Sequence, residues 1–311
     1  MRERFRRRSG TAGADEGGSV AVEDPAASTA EEQATDRVDE PAPEPPAPAT
    51  DVATDVATDV ATGVTTDEAP VVRRRRGLRD LEPVLLAQAA HPRQAVVTAL
   101  GIAACAALAG RELREVGVVL LTVLVGQTIL GWHNDLVDRR RDARHDLPGK
   151  PVAQDRLEPG SAWFAIACGV LLLVPLAVST GITAGSCYLL SVAIGLLGNV
   201  VLRKGLLSWV PWAASFALYP AYLSYGGWGG RYEGNPPEVA MVALFALLGI
   251  GVHVLRALWG LVPDNKDGWT YLPLRLGLRL GAARLLTLTS VYLGAVLLGL
   301  AFAGTSVGLS Q

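Results

Sequence analysis

The amino-acid sequence predicts an all-α fold, a multi-pass transmembrane bundle of about seven helical spans that follows a disordered N-terminal tail. Half of the 311 residues are hydrophobic, only 19% are charged, and the mean hydropathy is +0.29. A single soluble core does not require this much apolar surface, which indicates an integral membrane protein. The long apolar segments begin near residue 95, and the first seventy residues have a different composition.

The N-terminal region is predicted to be a disordered tail over residues 1–80, followed by a membrane domain over 81–311. Residues 1–70 are rich in Ala, Pro and Thr, contain 16 Asp and Glu against 6 Lys and Arg, and repeat DVAT three times from Asp51 to Thr62. Such a composition cannot bury enough apolar area to offset the entropy lost on ordering. We expect a solvated spacer, with an interaction arm as the alternative.

Hydrophobic segments make up most of the remaining chain. Most are long enough to cross a bilayer core of about 30 Å. The seven expected spans lie at residues 95–110, 116–133, 161–180, 182–202, 206–225, 239–260 and 285–303.

Basic residues are concentrated in alternate loops. The loops at 139–156, 203–204 and 266–284 hold 6, 2 and 4 Lys and Arg, while the loops on the opposite side hold three arginines in total. Cytoplasmic loops of membrane proteins carry the excess of positive charge. This bias predicts a cell-membrane protein whose N-terminus and Asp-rich loops are cytoplasmic.

Several functional classes have no support in the sequence. The three cysteines lie within apolar runs without CxxC spacing, which disfavours a zinc site or a disulfide framework. No phosphate-binding P-loop, GxSxG or HExxH motif occurs. We expect lipid and small-molecule partners and no nucleic acid.

The stretch GWHNDLVDRRRDARHD, residues 131–146, places carboxylates directly after the second hydrophobic segment. If that helix continues, four polar side chains share an arc of about 100°: Asn134, Asp135, Asp138 and Asp142. Hard oxygen ligands suit Mg²⁺, which is usually held by one or two carboxylates and substrate phosphates. The alternative is an ordinary loop in which these aspartates pair with the arginines at 139–141.

A second acidic stretch, VPDNKDGWTYLPLRLG, follows the sixth hydrophobic segment on the same predicted side of the membrane. It contains Asp264 and Asp267. Together the two stretches suggest carboxylate clusters that face each other across the bundle, as in sites that bind several metal ions and a diphosphate.

The first stretch resembles a known family. NDLVDRRRD, from Asn134 to Asp142, fits the NDxxDxxxD motif of the UbiA superfamily of intramembrane prenyltransferases, and DGWTYLPLRLG and LPGKPVAQDRL are similar to other parts of that family. The resemblance extends over about residues 90 to 303. It implies a helical bundle that binds an isoprenyl diphosphate through Mg²⁺ held by both aspartate motifs, and that alkylates an acceptor, commonly an aromatic quinone precursor.

The second motif matches the family less completely. Asp264 corresponds to the second Asp of the family's DxxxD, and Gly260 stands where the first Asp is expected. Asp267 could substitute from one helical turn away. Family members usually also continue for further membrane helices beyond the last segment seen here.

Basic residues near the two motifs are candidates for binding the diphosphate. Arg203 and Lys204 lie in the loop before the fifth segment, and Arg256 lies within the sixth. A cation beside a leaving diphosphate stabilises the charge that develops on it, and ionisable residues within membrane segments are functional candidates. Alternatively, Arg203 and Lys204 anchor the membrane topology of their loop, and Arg256 snorkels to the membrane interface. The arginines at 139–141 are expected to fix topology.

These observations predict Mg²⁺-dependent transfer of a prenyl group from an isoprenyl diphosphate to an apolar acceptor, aromatic or a quinone precursor. The expected residues are Asp135, Asp138 and Asp264 as catalytic groups; Asn134, Arg203, Lys204 and Arg256 as substrate contacts; and Asn134, Asp135, Asp138, Asp142, Asp264 and Asp267 as metal ligands. A terpene cyclase of the same fold and a non-catalytic membrane binding or assembly protein are the alternatives. Acceptor identity, prenyl chain length and oligomeric state stay open.

Overall fold

A computed structural model describes residues 77–227 and 234–306, and over these residues the chain is helical without strands. The prediction of an all-α fold is therefore confirmed. Most of the N-terminal tail predicted from the sequence lies outside the described residues, and its disorder stays a prediction.

Eleven α-helices are present in the described part of the chain. In order they are α1 Glu82–Ala89, α2 Pro92–Leu108, α3 Leu113–Arg144, α4 Pro159–Val178, α5 Ile182–Gly198, α6 Val210–Ala217, α7 Tyr219–Ser224, α8 Val239–Ala257, α9 Leu261–Lys266, α10 Leu272–Leu280 and α11 Ala282–Ser306. Short 3₁₀ turns at Leu78–Asp80, Leu206–Trp209 and Leu258–Gly260 precede α1, α6 and α9.

Four stretches of helix are long and apolar enough to cross a membrane: Leu113–Arg144, Pro159–Val178, Val239–Lys266 and Ala282–Thr305. Helices α2 and α5 are apolar but shorter, at 17 residues each. The fifth predicted segment is not one continuous helix, because the chain breaks between α6 and α7. Pro220 at the start of α7 lacks the N–H that a continuous helix requires. The count of seven spans stays a prediction.

Helix α3 determines where the polar stretch lies. Its 32 residues correspond to a length of about 48 Å at 1.5 Å per residue, which exceeds a bilayer core of about 30 Å. The apolar first part of α3 packs on α2 and α4. Its last turns, from Asn134 onward, can therefore extend beyond the apolar region while remaining part of the same rigid helix.

Close backbone approach at two glycines holds the bundle together. A Cβ atom at Gly131 of α3 would lie 2.4 Å from the carbonyl oxygen of Ala90, in the turn between α1 and α2. A Cβ at Gly249 of α8 would lie 2.4 Å from the carbonyl oxygen of Trp212 in α6. Distances this short exclude any side chain unless the backbones separate.

We predict that Gly131→Ala destabilises the protein, whereas Gly117→Ala in the same helix does not. Gly117 has no atom within 4 Å of a built Cβ, so alanine there should be neutral or stabilising by up to about 1 kcal/mol through helix propensity. Overpacking at Gly131 should cost about 1 to 3 kcal/mol. Thermal unfolding of both variants in the same detergent tests this, and equal unfolding temperatures would contradict the packing described above.

Candidate metal centre

The carboxylates of the first motif lie buried along the last turns of α3. The exposed fractions of Asp135, Asp138 and Asp142 are 1%, 8% and 1%. The helix continues to Arg144, so the i, i+3 and i+7 spacing brings the three side chains to one face, as the sequence predicted. Asn134 is on the same face, and its amide Nδ2 donates a hydrogen bond of 3.0 Å to Asp138 Oδ2.

The second motif meets the first through one arginine of α3. Asp264, in α9, is 5% exposed and accepts a hydrogen bond from Arg141. Arg141 also donates to Asp267 Oδ2 at 3.1 Å and to Asp142 Oδ1 at 3.1 Å. The two carboxylate clusters are therefore on opposite sides of one guanidinium group. The sequence predicts a topological role for this arginine and does not predict its position in the site.

A lysine holds the other side of the first motif. The ammonium of Lys150 lies 2.9 Å from Asp135 Oδ1 and 3.3 Å from Asp142 Oδ2. It is also 3.3 Å from Nε2 of His91. Arg203 pairs with the remaining carboxylate, Asp138. Lys150 and His91 were not identified from the sequence, although Lys150 is within the LPGKPVAQDRL stretch that resembles the UbiA superfamily.

Two oxygens of the first motif, Asp135 Oδ1 and Asp142 Oδ2, face the Lys150 ammonium. A third, Asp135 Oδ2, has no hydrogen-bond partner in the described part of the chain. Buried polar atoms are rarely left in this way, since their desolvation is then uncompensated. Their chemistry fits a hard divalent cation. In this arrangement Arg141, Lys150 and Arg203 lie against the carboxylates. No group of three or more acidic, His or Cys residues within 77–227 and 234–306 converges to hold a metal ion.

The second motif is fully hydrogen-bonded. The Tyr271 hydroxyl donates to Asp264 Oδ2, and burial together with the Asp264 carboxylate raises the pKa of Tyr271, which keeps this donor protonated. His145 Nε2 lies 2.9 Å from Asp267 Oδ1. The hydrogen bond from His145, aided by the charge of Arg141, lowers the pKa of Asp267. Neither Tyr271 nor His145 was identified from the sequence, although Tyr271 lies within the DGWTYLPLRLG stretch that resembles the UbiA superfamily.

Gly260 lies one turn before Asp264, at the position where the resemblance predicted a carboxylate. A Cβ built at Gly260 would approach Asp264 Oδ2 to 2.8 Å. The second motif of this chain therefore presents Asp264 and Asp267 and lacks the carboxylate one turn before Asp264.

The two predicted diphosphate contacts of the 203–204 loop lie next to an aromatic ring. The guanidinium of Arg203 is 5.3 Å and the ammonium of Lys204 is 5.8 Å from the centre of the Trp269 ring. The amide of Thr270 donates to the Lys204 carbonyl at 3.0 Å. The loop is thus docked against the second motif, with the Lys204 side chain exposed.

A cavity of about 100 Å³ extends from Asn134 into the bundle. Arg256 lines it and stacks on Trp212, with its Cζ 5.2 Å from the ring centre. No carboxylate of the described residues pairs with Arg256 at 4 Å or less. Gln127 and Asn199 also line the cavity. Both join neighbouring helices, since Gln127 donates to Tyr219 and Asn199 to the carbonyl of Leu130.

The fold and the site together define a helical membrane protein in which one arginine joins two buried aspartate motifs. The sequence model of the UbiA prenyltransferase family matches residues 95–310. The chain belongs to this family. A comparison with curated proteins gave no significant match.

Two solved structures of a UbiA homologue from Archaeoglobus fulgidus share the fold. One is bound to GPP and Mg²⁺ and aligns with a TM-score of 0.54 at 16% identity, covering 70% of this chain and 77% of the homologue. The other is bound to DMAPP and Mg²⁺ and aligns with a TM-score of 0.53 at 17% identity, covering 70% and 76%.

We predict that Lys150→Met destabilises the protein by about 3 kcal/mol, because it leaves Asp135 and Asp142 buried without their shared cation. Arg156→Met is the control, since the Arg156–Asp80 pair is 36% and 43% exposed and exposed pairs contribute about 0 to 1 kcal/mol. Chemical denaturation in a Mg²⁺-free detergent buffer measures both. Equal losses in the two variants would show that Lys150 is not the main counter-ion.

Proposed function

We propose that this protein transfers a prenyl group from an isoprenyl diphosphate to an apolar acceptor in a reaction that requires Mg²⁺. The observation that carries this proposal is the pair of buried carboxylate motifs joined by Arg141, the first of which includes Asn134, a residue that lines a cavity within the apolar bundle. Family membership supports prenyl transfer in general, and the homologue from Archaeoglobus fulgidus binds isoprenyl diphosphates together with Mg²⁺.

In this proposal the first motif supplies the principal metal ligands. Asp135 Oδ2 has no hydrogen-bond partner among the described residues, and Asp135 and Asp142 share the Lys150 ammonium that a metal ion would replace. Asp138 and Asn134 complete the same helical face. Asp264 and Asp267 contribute from the second motif. When bound, Mg²⁺ would neutralise the diphosphate and stabilise the charge that develops on it as the carbon–oxygen bond breaks.

The basic residues around the motifs bind the diphosphate in this proposal. Arg203 pairs with Asp138, so it is held at the site and can exchange the Asp138 carboxylate for the diphosphate. Lys204 is next to it and exposed. Positive groups fixed beside the leaving diphosphate stabilise the product more than the substrate, which favours ionisation.

In this proposal the cavity binds the apolar groups of the substrates. Its walls combine apolar side chains with Gln127, Ser215 and Arg256. Exclusion of water matters chemically, since an allylic cation formed in water would be captured as an alcohol. Arg256 lines the cavity without a paired carboxylate, so we assign it to a polar group of a substrate. An aromatic acceptor such as a quinone precursor suits this lining.

The proposed site opens toward the cytoplasm. The loops that contribute Lys150, Arg203 and Lys204 are those with the excess of basic residues, so the positive-inside bias supports a cytoplasmic N-terminus and cytoplasmic aspartate motifs in the cell membrane. A diphosphate from the cytoplasm could then reach the carboxylates while its prenyl chain enters the bundle.

The decisive experiment incubates membranes that contain the protein with labelled geranylgeranyl diphosphate and Mg²⁺, and measures diphosphate release and labelled lipid products. Asp135→Asn and Asp138→Asn should each reduce the rate by about 100-fold, the loss typical of removing an electrostatic contact at the reacting group. Asp155→Asn is the matched control, because Asp155 is exposed and its left-handed backbone (φ 53°) tolerates asparagine.

The same assay separates the competing functions. A labelled product that requires an acceptor lipid supports the transferase. A hydrocarbon or alcohol formed by the purified protein without an acceptor would identify a cyclase instead. An unchanged product profile in a variant that lacks both Asp135 and Asp138 carboxylates would contradict either enzyme.

A further inference from the structure

We propose that Arg141 takes the place of a second metal ion, so that this chain binds its diphosphate with one divalent cation and one fixed guanidinium group. The inference rests on the proposed function and refines it. It assigns to Arg141 a role in the site that its position within a run of three arginines does not suggest.

The contacts of Arg141 are those of a cation that bridges the two motifs. Its three guanidinium nitrogens reach Asp142 of the first motif and both carboxylates of the second motif, Asp264 and Asp267. The side chain is only 12% exposed. Its Cζ also stacks 4.7 Å above the Trp269 ring. A guanidinium held by three carboxylates and one aromatic face has little freedom to leave.

The second motif lacks the ligands that a second metal ion would require. Gly260 offers no side chain at the position one turn before Asp264. A carboxylate could not be added there without moving Asp264, whose Oδ2 lies 2.8 Å from the built Cβ and accepts the hydrogen bond from Tyr271. The carboxylate that would help to bind a second ion is therefore absent at Gly260, and the guanidinium group of Arg141 supplies positive charge to Asp264 and Asp267 instead.

The two motifs differ in the oxygens they offer. All four oxygens of Asp264 and Asp267 have a partner among Arg141, His145, Arg144 and Tyr271. In the first motif, Asp135 Oδ2 has no hydrogen-bond partner among the described residues, and Asp135 Oδ1 and Asp142 Oδ2 share the single ammonium group of Lys150 at 2.9 and 3.3 Å. A divalent cation therefore gains most at the first motif, where one oxygen has no partner and two others share one ammonium group.

The cation of the first motif is also the easier one to displace. Lys150 offers a single ammonium group from a loop, and a strongly hydrated ammonium on a flexible stem exchanges readily. The planar guanidinium group of Arg141 matches several carboxylates at once and stacks on an indole ring, which a metal ion cannot replace. We therefore place the single divalent ion where Lys150 lies and retain Arg141 beside it.

Counting bound ions tests the inference directly. The full-length protein in detergent is mixed with Mn²⁺ and a non-reactive prenyl thiolodiphosphate, and bound Mn²⁺ is measured by electron paramagnetic resonance. We expect one Mn²⁺ per chain in the presence of the analogue. Two Mn²⁺ per wild-type chain would overturn the inference while leaving the proposed function intact. Failure of the analogue to bind, with or without Mn²⁺, would instead contradict the proposed function.

A double variant tests whether Arg141 excludes the second ion. Arg141→Gln combined with Gly260→Asp removes the guanidinium charge and supplies the missing carboxylate, and we expect two Mn²⁺ per chain. Arg140→Gln, an exposed arginine one position earlier, should bind one ion, as the wild type does. A folded double variant that still binds one ion would also overturn the inference. If the double variant does not fold, the wild-type count decides the question.

Discussion

The charge of four buried aspartates has to be neutralised at one end of an apolar bundle, where none of these residues is more than 8% exposed. Uncompensated charge costs several kcal/mol per group in such a position. Three basic side chains meet this requirement, and each comes from a different part of the chain: Arg141 from α3 itself, Lys150 from the following loop and Arg203 from the loop before α6. The positions of both loops therefore depend on the aspartates.

Helix α3 connects this polar end to the interior. Because it is one continuous helix of 32 residues, Gln127 in the cavity and Asp142 at the site belong to the same rigid element. The close contact at Gly131 then fixes the α1–α2 turn against α3 and brings His91 next to Lys150. The charged head and the apolar tail of a substrate would thus bind to two parts of the site whose relative position is fixed. This positioning favours reaction of the carbocation over its diffusion out of the site.

The sequence predicts the parts of this arrangement that depend on local pattern. Hydropathy identifies the long apolar helices, and the 3.6-residue period puts the first-motif carboxylates on one face of α3. It does not predict the contact between Arg141 and Asp264, which joins residues 123 positions apart. Nothing in the run of three arginines indicates that Arg141 lies in the middle of the site rather than serving as a topological anchor. Hydropathy averaged over residues 206–225 predicts a single span there and does not register the helix break before Pro220.

The pairing of carboxylates with internal cations also links metal binding to diphosphate binding. Under the proposed function, an ion that enters between Asp135 and Asp142 has to displace Lys150, and breaking a buried pair without replacement is costly. The released ammonium needs a new anion, and the diphosphate is the anion that the reaction brings to the same place. Metal and diphosphate binding therefore favour each other. The metal ion replaces Lys150 beside the carboxylates, and the diphosphate replaces the carboxylates beside Lys150. Arg141 remains outside this exchange, since the two carboxylates that it holds in the second motif, Asp264 and Asp267, have a partner for every oxygen.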